Sequence, residues 1–140
     1  MIVVDASVVV EFLLGRAATV EALTAELTGA RDEALHAPDL IEPEALNALR
    51  GLERGAVINR VQADRAVSEL DDLRLIHYPH AALRDRVWAL RDNLSAYDAL
   101  YLALAETLPG SVLFTSDAGL AASATHSLGD RRVRHIDQAR

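Results

Sequence analysis

The chain contains no cysteine and no lysine. Without cysteine neither a disulfide framework nor a thiolate metal site can form, which excludes zinc fingers and leaves a cytosolic location open. Without lysine, P-loop phosphate binding and Schiff-base catalysis are closed. All fourteen basic residues are arginine, a usage we read as the mark of a GC-rich genome. Positive charge is scarce overall: the formal net charge is -7, which argues against a general phosphate-binding surface, since non-specific nucleic-acid affinity comes mostly from basic side chains. No run of about 18 uninterrupted apolar residues exists to span a bilayer. The first residues, Met-Ile-Val-Val-Asp, lack the basic segment and long apolar run of a signal peptide. The expectation is a soluble, cytoplasmic protein with no membrane contact.

What remains is a chain of 140 residues, 51% hydrophobic, long enough for a real core and short for two, so a single domain over 1–140 is expected. Ile2 to Val4 is a continuously apolar, β-branched run, the pattern of a strand buried on both faces of a parallel sheet. Leu35 to Ala37 (broken by Pro38), Leu73 to His77 and Val112 to Phe114 read as further strands, and Val133 to Ile136 as a weak edge strand. Helical patterns fall between them, over Ser7 to Leu14, Ala18 to Leu27, Asp39 to Arg54, Asn59 to Leu70, Ala81 to Arg91, Ser95 to Glu106 and Ala118 to Ala124. Asp39 and Asn59 are candidate caps, Gly15 and Gly55 candidate helix ends, and Gly29 to Glu33 a loop. Leu46, Leu49 and Leu52 with Ala45 and Ala48 form the apolar face of the helix over 39–54. Strands alternating with helices imply an α/β fold, a central parallel sheet with helices on both faces. In such sheets ligands bind outside the carboxyl ends of the strands.

The stretch Ser95 to Glu106, S-A-Y-D-A-L-Y-L-A-L-A-E, reads as a helix that wants burial on every side, for Tyr97 and the run Ala99 to Ala105 leave no polar stripe. Asp98 is its only charge before Glu106. A carboxylate there needs compensation, from a capping box with Ser95 as N-cap or from a cation. Asp5 and Asp117 each follow a strand, and each could equally be a helix cap. Glu44 lies close to the apolar face of its helix; Glu42, two positions away, rivals it, and spacing does not choose between them. Three acids at strand ends and a helix start, with a fourth nearby, suit a hard divalent cation such as Mg2+, which takes oxygen ligands and keeps several waters. His36, His77, His80, His126 and His135 show no H-E-x-x-H arrangement and read as surface or loop residues. Trp88 reads as core, and Arg131-Arg132-Val133-Arg134 as a solvated edge strand.

Taken together, V-D-A-S at Val4 to Ser7, E-A-L-N-A-L-R at Glu44 to Arg50, L-R-D-N-L-S-A-Y-D-A-L-Y-L-A-L-A-E at Leu90 to Glu106 and F-T-S-D at Phe114 to Asp117 closely resemble the PIN domain. Within it they look most like the VapC toxins of bacterial VapBC toxin–antitoxin pairs, particularly the mycobacterial type. The resemblance spans essentially the whole chain, with the block around Tyr97-Asp98-Ala99 its most specific part. It places the family's acids on Asp5, Glu44, Asp98 and Asp117, and so chooses Glu44 over Glu42. Ser7 and Thr115 match the family's polar neighbours of those acids, and Arg86 and Arg91 its arginines ahead of the Y-D-A block, with Ser7, Thr115 and Arg91 the candidate substrate contacts. The resemblance implies a Mg2+- or Mn2+-dependent endoribonuclease acting on single-stranded regions of RNA, a homodimer, and silencing by a cognate VapB-type antitoxin.

Three other readings weigh against this one. A phosphoryl-accepting receiver domain has an acidic cluster on a similar sheet but needs a lysine. A haloacid-dehalogenase-like phosphatase wants a second Asp two residues after Asp5, where Ser7 stands. A catalytically inactive PIN module that only binds a partner would not need the intact acids.

Overall fold

A computed structural model describes residues 1–30 and 34–137. Five parallel strands form one sheet in the order β3-β2-β1-β4-β5: β1 (Ile2–Val4), β2 (Leu35–Pro38), β3 (Leu75–Tyr78), β4 (Val112–Thr115) and β5 (Val133–His135). The helices are α1 (Ala6–Leu13), α2 (Ala17–Gly29), α3 (Ile41–Arg54), α4 (Arg60–Leu70), α5 (Arg84–Ala89), α6 (Ala96–Thr107) and α7 (Ala118–Leu128). The chain winds from β1 outward to β3, then returns past β1 to lay down β4 and β5. With right-handed crossovers this reversal puts α1 to α4 on one face and α5 to α7 on the other, which agrees with the two groups in which the helices pack. The switch point falls between β1 and β4.

The central strand is the most apolar because both of its faces are covered: Ile2, Val3 and Val4 are at most 1% exposed. The expected elements are present, most displaced by one or two residues at their ends, while the helix expected to stop at Ala124 runs on to Leu128. Gly15 follows α1 with φ +71, a conformation glycine adopts without a steric penalty. Asn59 caps α4 with a full capping box to Gln62. In α6 every residue from Ala99 to Ala105 is buried, as the absence of a polar stripe required.

Several expectations are corrected. Pro38 does not break β2 but ends it, paired with Tyr78, since a terminal strand position tolerates the missing N–H. Asp39 caps nothing; α3 starts after Leu40 without a side-chain cap. On α3 the expected face holds for Ala45 and Leu49, which are buried with Ile41, and for Ala48 and Leu52, which pack against the core, while Leu46 is exposed. Gly29 closes α2 rather than opening a loop, and 31–33 of the expected loop lie outside the described residues. The helix expected over 81–91 is a 3-10 turn, Ala81–Leu83, followed by the six-residue α5, which buries none of its residues. Trp88 is accordingly not core but 67% exposed, with the Arg91 guanidinium over its ring at 4.5 Å. Tyr97, on the first turn of α6, is also exposed.

His36 is the histidine that departs from the surface reading. It lies in β2 between two other strands, and its Nδ1 meets the Tyr78 hydroxyl at 2.7 Å; a polar ring in a strand covered on both faces must find such a partner. The basic run near β5 is not simply solvated either. Arg132 Nε donates to the Ser111 carbonyl at 2.8 Å, and its Nη2 to the carbonyls of Ala105 at 2.8 Å and Leu108 at 3.2 Å. The guanidinium thus satisfies carbonyls left open at the buried end of α6. Replacing Arg132 by Ala should destabilise the fold by about 1.5–3 kcal/mol, the range for hydrogen bonds from a charged donor. Urea unfolding reads this directly, and an unchanged midpoint would show that water replaces the guanidinium.

Candidate active site

Asp5 follows β1 with extended backbone, its N–H paired to the Phe114 carbonyl at 3.3 Å, and it caps α1. Its carboxylate is buried, at 5% exposure. Oδ1 accepts from Ser7 Oγ at 2.6 Å and the Val8 N–H at 3.0 Å, and Oδ2 accepts from the Thr115 hydroxyl. Thr115 ends β4, the neighbouring strand, and its Oγ1 also accepts the Asp117 N–H at 3.0 Å. Asp117 in turn caps α7 through the Leu120 N–H at 2.7 Å. Asp5 and Asp117 are both helix caps, one oxygen of each closing a helix start, and the Thr115 hydroxyl links the two beside the switch point.

Asp98 enters from the first turn of α6, where its N–H bonds to Ser95 Oγ at 3.1 Å. Burial raises its carboxyl above the usual range, repulsion from Asp117 adds to this, and the Ser95 hydroxyl partly offsets it. Burial likewise raises Glu44, against a hydrogen bond from Tyr101 and with repulsion from Asp98. Asp5 is pushed up to about 6 by burial, against its three donors and again with repulsion from Asp98. Asp98 is thus electrostatically joined to each of the other three acids. Glu42 points elsewhere, its Oε1 3.1 Å from His77 Nε2, so the fold sets Glu44 rather than Glu42 against α6.

The family model of the PIN domain matches residues 2–125. The chain belongs to the PIN domain family. It is similar to VapC ribonuclease Mb0985 of Mycobacterium bovis, 38% identical over 120 residues that make up 86% of this chain and 88% of the relative. It is also similar to ribonucleases VapC3 and VapC12 of Mycobacterium tuberculosis, at 35% and 34% identity over 91% of this chain and 92% and 95% of theirs.

Not every residue singled out from the sequence joins the site of this PIN domain. Arg86 makes a two-pronged ion pair with Glu106, eight residues and about 12 Å along α6 from Asp98. Arg91 lies on Trp88 and donates from Nη1 to the Trp88 carbonyl at 2.9 Å. Conversely, three residues at the site escaped the sequence reading. Tyr101, counted only as apolar, donates its hydroxyl to Glu44 Oε1, and burial together with that bond raises its phenol far above the ordinary value. Its position three residues after Asp98, on the same helix face, was the available signal. Glu11 and Ser116 form an outer tie: Ser116 Oγ donates to Glu11 Oε2 at 2.6 Å, the Thr19 hydroxyl donates to the same oxygen at 2.9 Å, and the Ser116 N–H donates to Ser7 Oγ at 3.1 Å.

Among the described residues no three His, Asp or Glu side chains converge as a ready-made metal cage. A Mg2+ site needs none, because one or two direct carboxylates and several waters suffice. The fit rests on charge: Asp98 repels each of the other three acids, and none of the four makes a salt bridge with arginine or histidine among the described residues. Oxygen donors of this kind match a hard cation. A shallow cleft of about 340 Å³, lined by Leu40, Pro43, Glu44, Asn47 and Tyr97, opens beside Glu44.

Proposed function

We propose that this PIN domain, taken as one unit over residues 1–140, is the toxin of a type II toxin–antitoxin pair: a divalent-metal-dependent endoribonuclease that hydrolyses phosphodiester bonds in single-stranded regions of RNA in the cytoplasm. The observation that carries the reading is a half-buried Asp98 carboxylate at the switch point of the sheet that repels Asp5, Glu44 and Asp117, with no arginine or histidine salt bridge among the described residues to balance it, in a chain whose relatives are named ribonucleases.

In this reading Asp5 and Asp98 are the principal ligands of Mg2+, or of Mn2+ in its place, and Glu44 and Asp117 complete the site directly or through water. The bound ion supplies Lewis acidity, which acidifies the attacking water and offsets charge on the scissile phosphate. Ser7 and Thr115 hold the Asp5 carboxylate in one orientation. Because Oδ1 already accepts two hydrogen bonds and Oδ2 only one, Oδ2 is the oxygen left with capacity for a ligand. Arg91, exposed on Trp88 outside the acid site, is a flanking contact for RNA phosphate in this reading. Water rather than a ribose hydroxyl attacks, so the preference for RNA comes from the relatives and not from the chemistry. A VapB-type antitoxin presenting a basic group to the acidic cleft fits the net charge of -7, since opposite charge steers and orients partners; a homodimer belongs to the same reading.

Purified protein should cleave an unstructured RNA in Mg2+ or Mn2+ and stop in EDTA. Undiminished cleavage in EDTA would refute the metal mechanism, and calorimetry showing neither metal binding nor cleavage would identify an inactive binding module instead.

A further inference from the structure

The Glu44 carboxylate sits on a side chain with three rotatable bonds and is repelled by Asp98, so left to itself it would turn toward water, where its freedom is greatest. Among the described residues its hydrogen bond from a side chain is the one that Tyr101 supplies from α6. Tyr101 is 1% exposed and stands three residues after Asp98, one turn along the buried stretch of α6. A buried phenol requires a polar partner. A backbone carbonyl would serve a purely structural tyrosine; here the partner is a carboxylate of the acid cluster, 57 residues away in sequence.

We propose that Tyr101 is a positioning residue for this site, its hydroxyl pinning Glu44 in the cluster so that the second carboxylate oxygen stays available to the cation or its water shell. The proposal rests on the metal-dependent reading above. Partners that orient metal ligands in this way contribute about 10–100-fold to metal affinity or activity. Phenylalanine keeps the volume and removes only the hydroxyl.

The test compares wild type, Tyr101→Phe, Glu44→Gln and the double variant, in two measurements: Mn2+ binding by calorimetry without RNA, and RNA cleavage as a function of Mg2+ concentration. The expected result is a Tyr101→Phe protein with metal affinity weakened about 10-fold or more, and a double variant no worse than Glu44→Gln alone, because coupled residues are not additive. A lower melting temperature with unchanged metal affinity, or an effect that adds fully to that of Glu44→Gln, assigns Tyr101 a structural role and overturns the proposal. Should Tyr101→Phe not fold, Tyr101→Met removes the hydroxyl and fills the site with an adaptable apolar side chain; weakened Mn2+ binding supports the proposal and wild-type affinity overturns it. A wild type with no metal response at all overturns the functional reading itself and the proposal with it, whereas a wild-type response that Tyr101→Phe leaves intact overturns only the role of Tyr101.

Discussion

Asp98→Asn should lower metal-dependent RNA cleavage by about 1,000-fold or more, equivalent to about 4 kcal/mol of lost transition-state stabilisation, the scale expected when a ligand of a catalytic cation is removed. Its melting temperature in EDTA should nevertheless equal or exceed that of wild type. Asp98 is the acid that raises Asp5 and Glu44 by repulsion and is itself raised by Asp117, so neutralising it relieves three unfavourable pairs at once. Asparagine is nearly the same size, and the backbone bond from its N–H to Ser95 Oγ is untouched. The two readouts must move in opposite directions. If Asp98→Asn cleaves like wild type, Asp98 is no ligand; if it loses activity and stability together, the residue holds up the helix start instead.

The second large effect is on stability against pH. The Asp5 carboxyl stands at about 6 in the folded protein against an ordinary 3.8, so between those values the folded state binds more protons than the unfolded one. Stability therefore falls as pH rises through that window. The stabilisation is complete below about 3.8 and gone above about 6, and the gap is worth about 3 kcal/mol for a group this thoroughly buried. Asp98 and Glu44 are raised as well and push in the same direction. In EDTA the protein should thus melt higher near pH 5 than near pH 7.5. Mg2+ at saturating concentration should raise the pH 7.5 value most, since an ion that binds only the native, ionised cluster stabilises it by mass action. In Asp5→Asn much of the slope should vanish. A melting temperature that rises steadily from pH 5 to 7.5 in EDTA would mean that these carboxylates are paired and not mutually repelled.

Asp5, Asp98 and Asp117 were legible in the sequence because each is announced by local chemistry, whereas Glu44 was not separable from Glu42. A β-branched run ending in aspartate, a serine three residues before Asp98, and Phe-Thr-Ser-Asp before a helix of small residues are all short-range patterns, set by strand burial and by the need of helix starts for side-chain acceptors. The α/β class and the burial of α6 follow from the same periodicities, which depend only on neighbours within a few positions. What those patterns do not carry is which strands lie side by side. The order β3-β2-β1-β4-β5 brings Thr115 to Asp5 across 110 residues. Packing of α3 against the same site selects Glu44 and turns Glu42 to His77. Tyr101 and Trp88 look alike as large aromatics in helical stretches, yet one is locked beneath the acids and the other stands in solvent, because α6 crosses the centre of the sheet while α5 is a short turn at its margin. Those outcomes depend on contacts between elements far apart in the chain, and only the assembled sheet decides them.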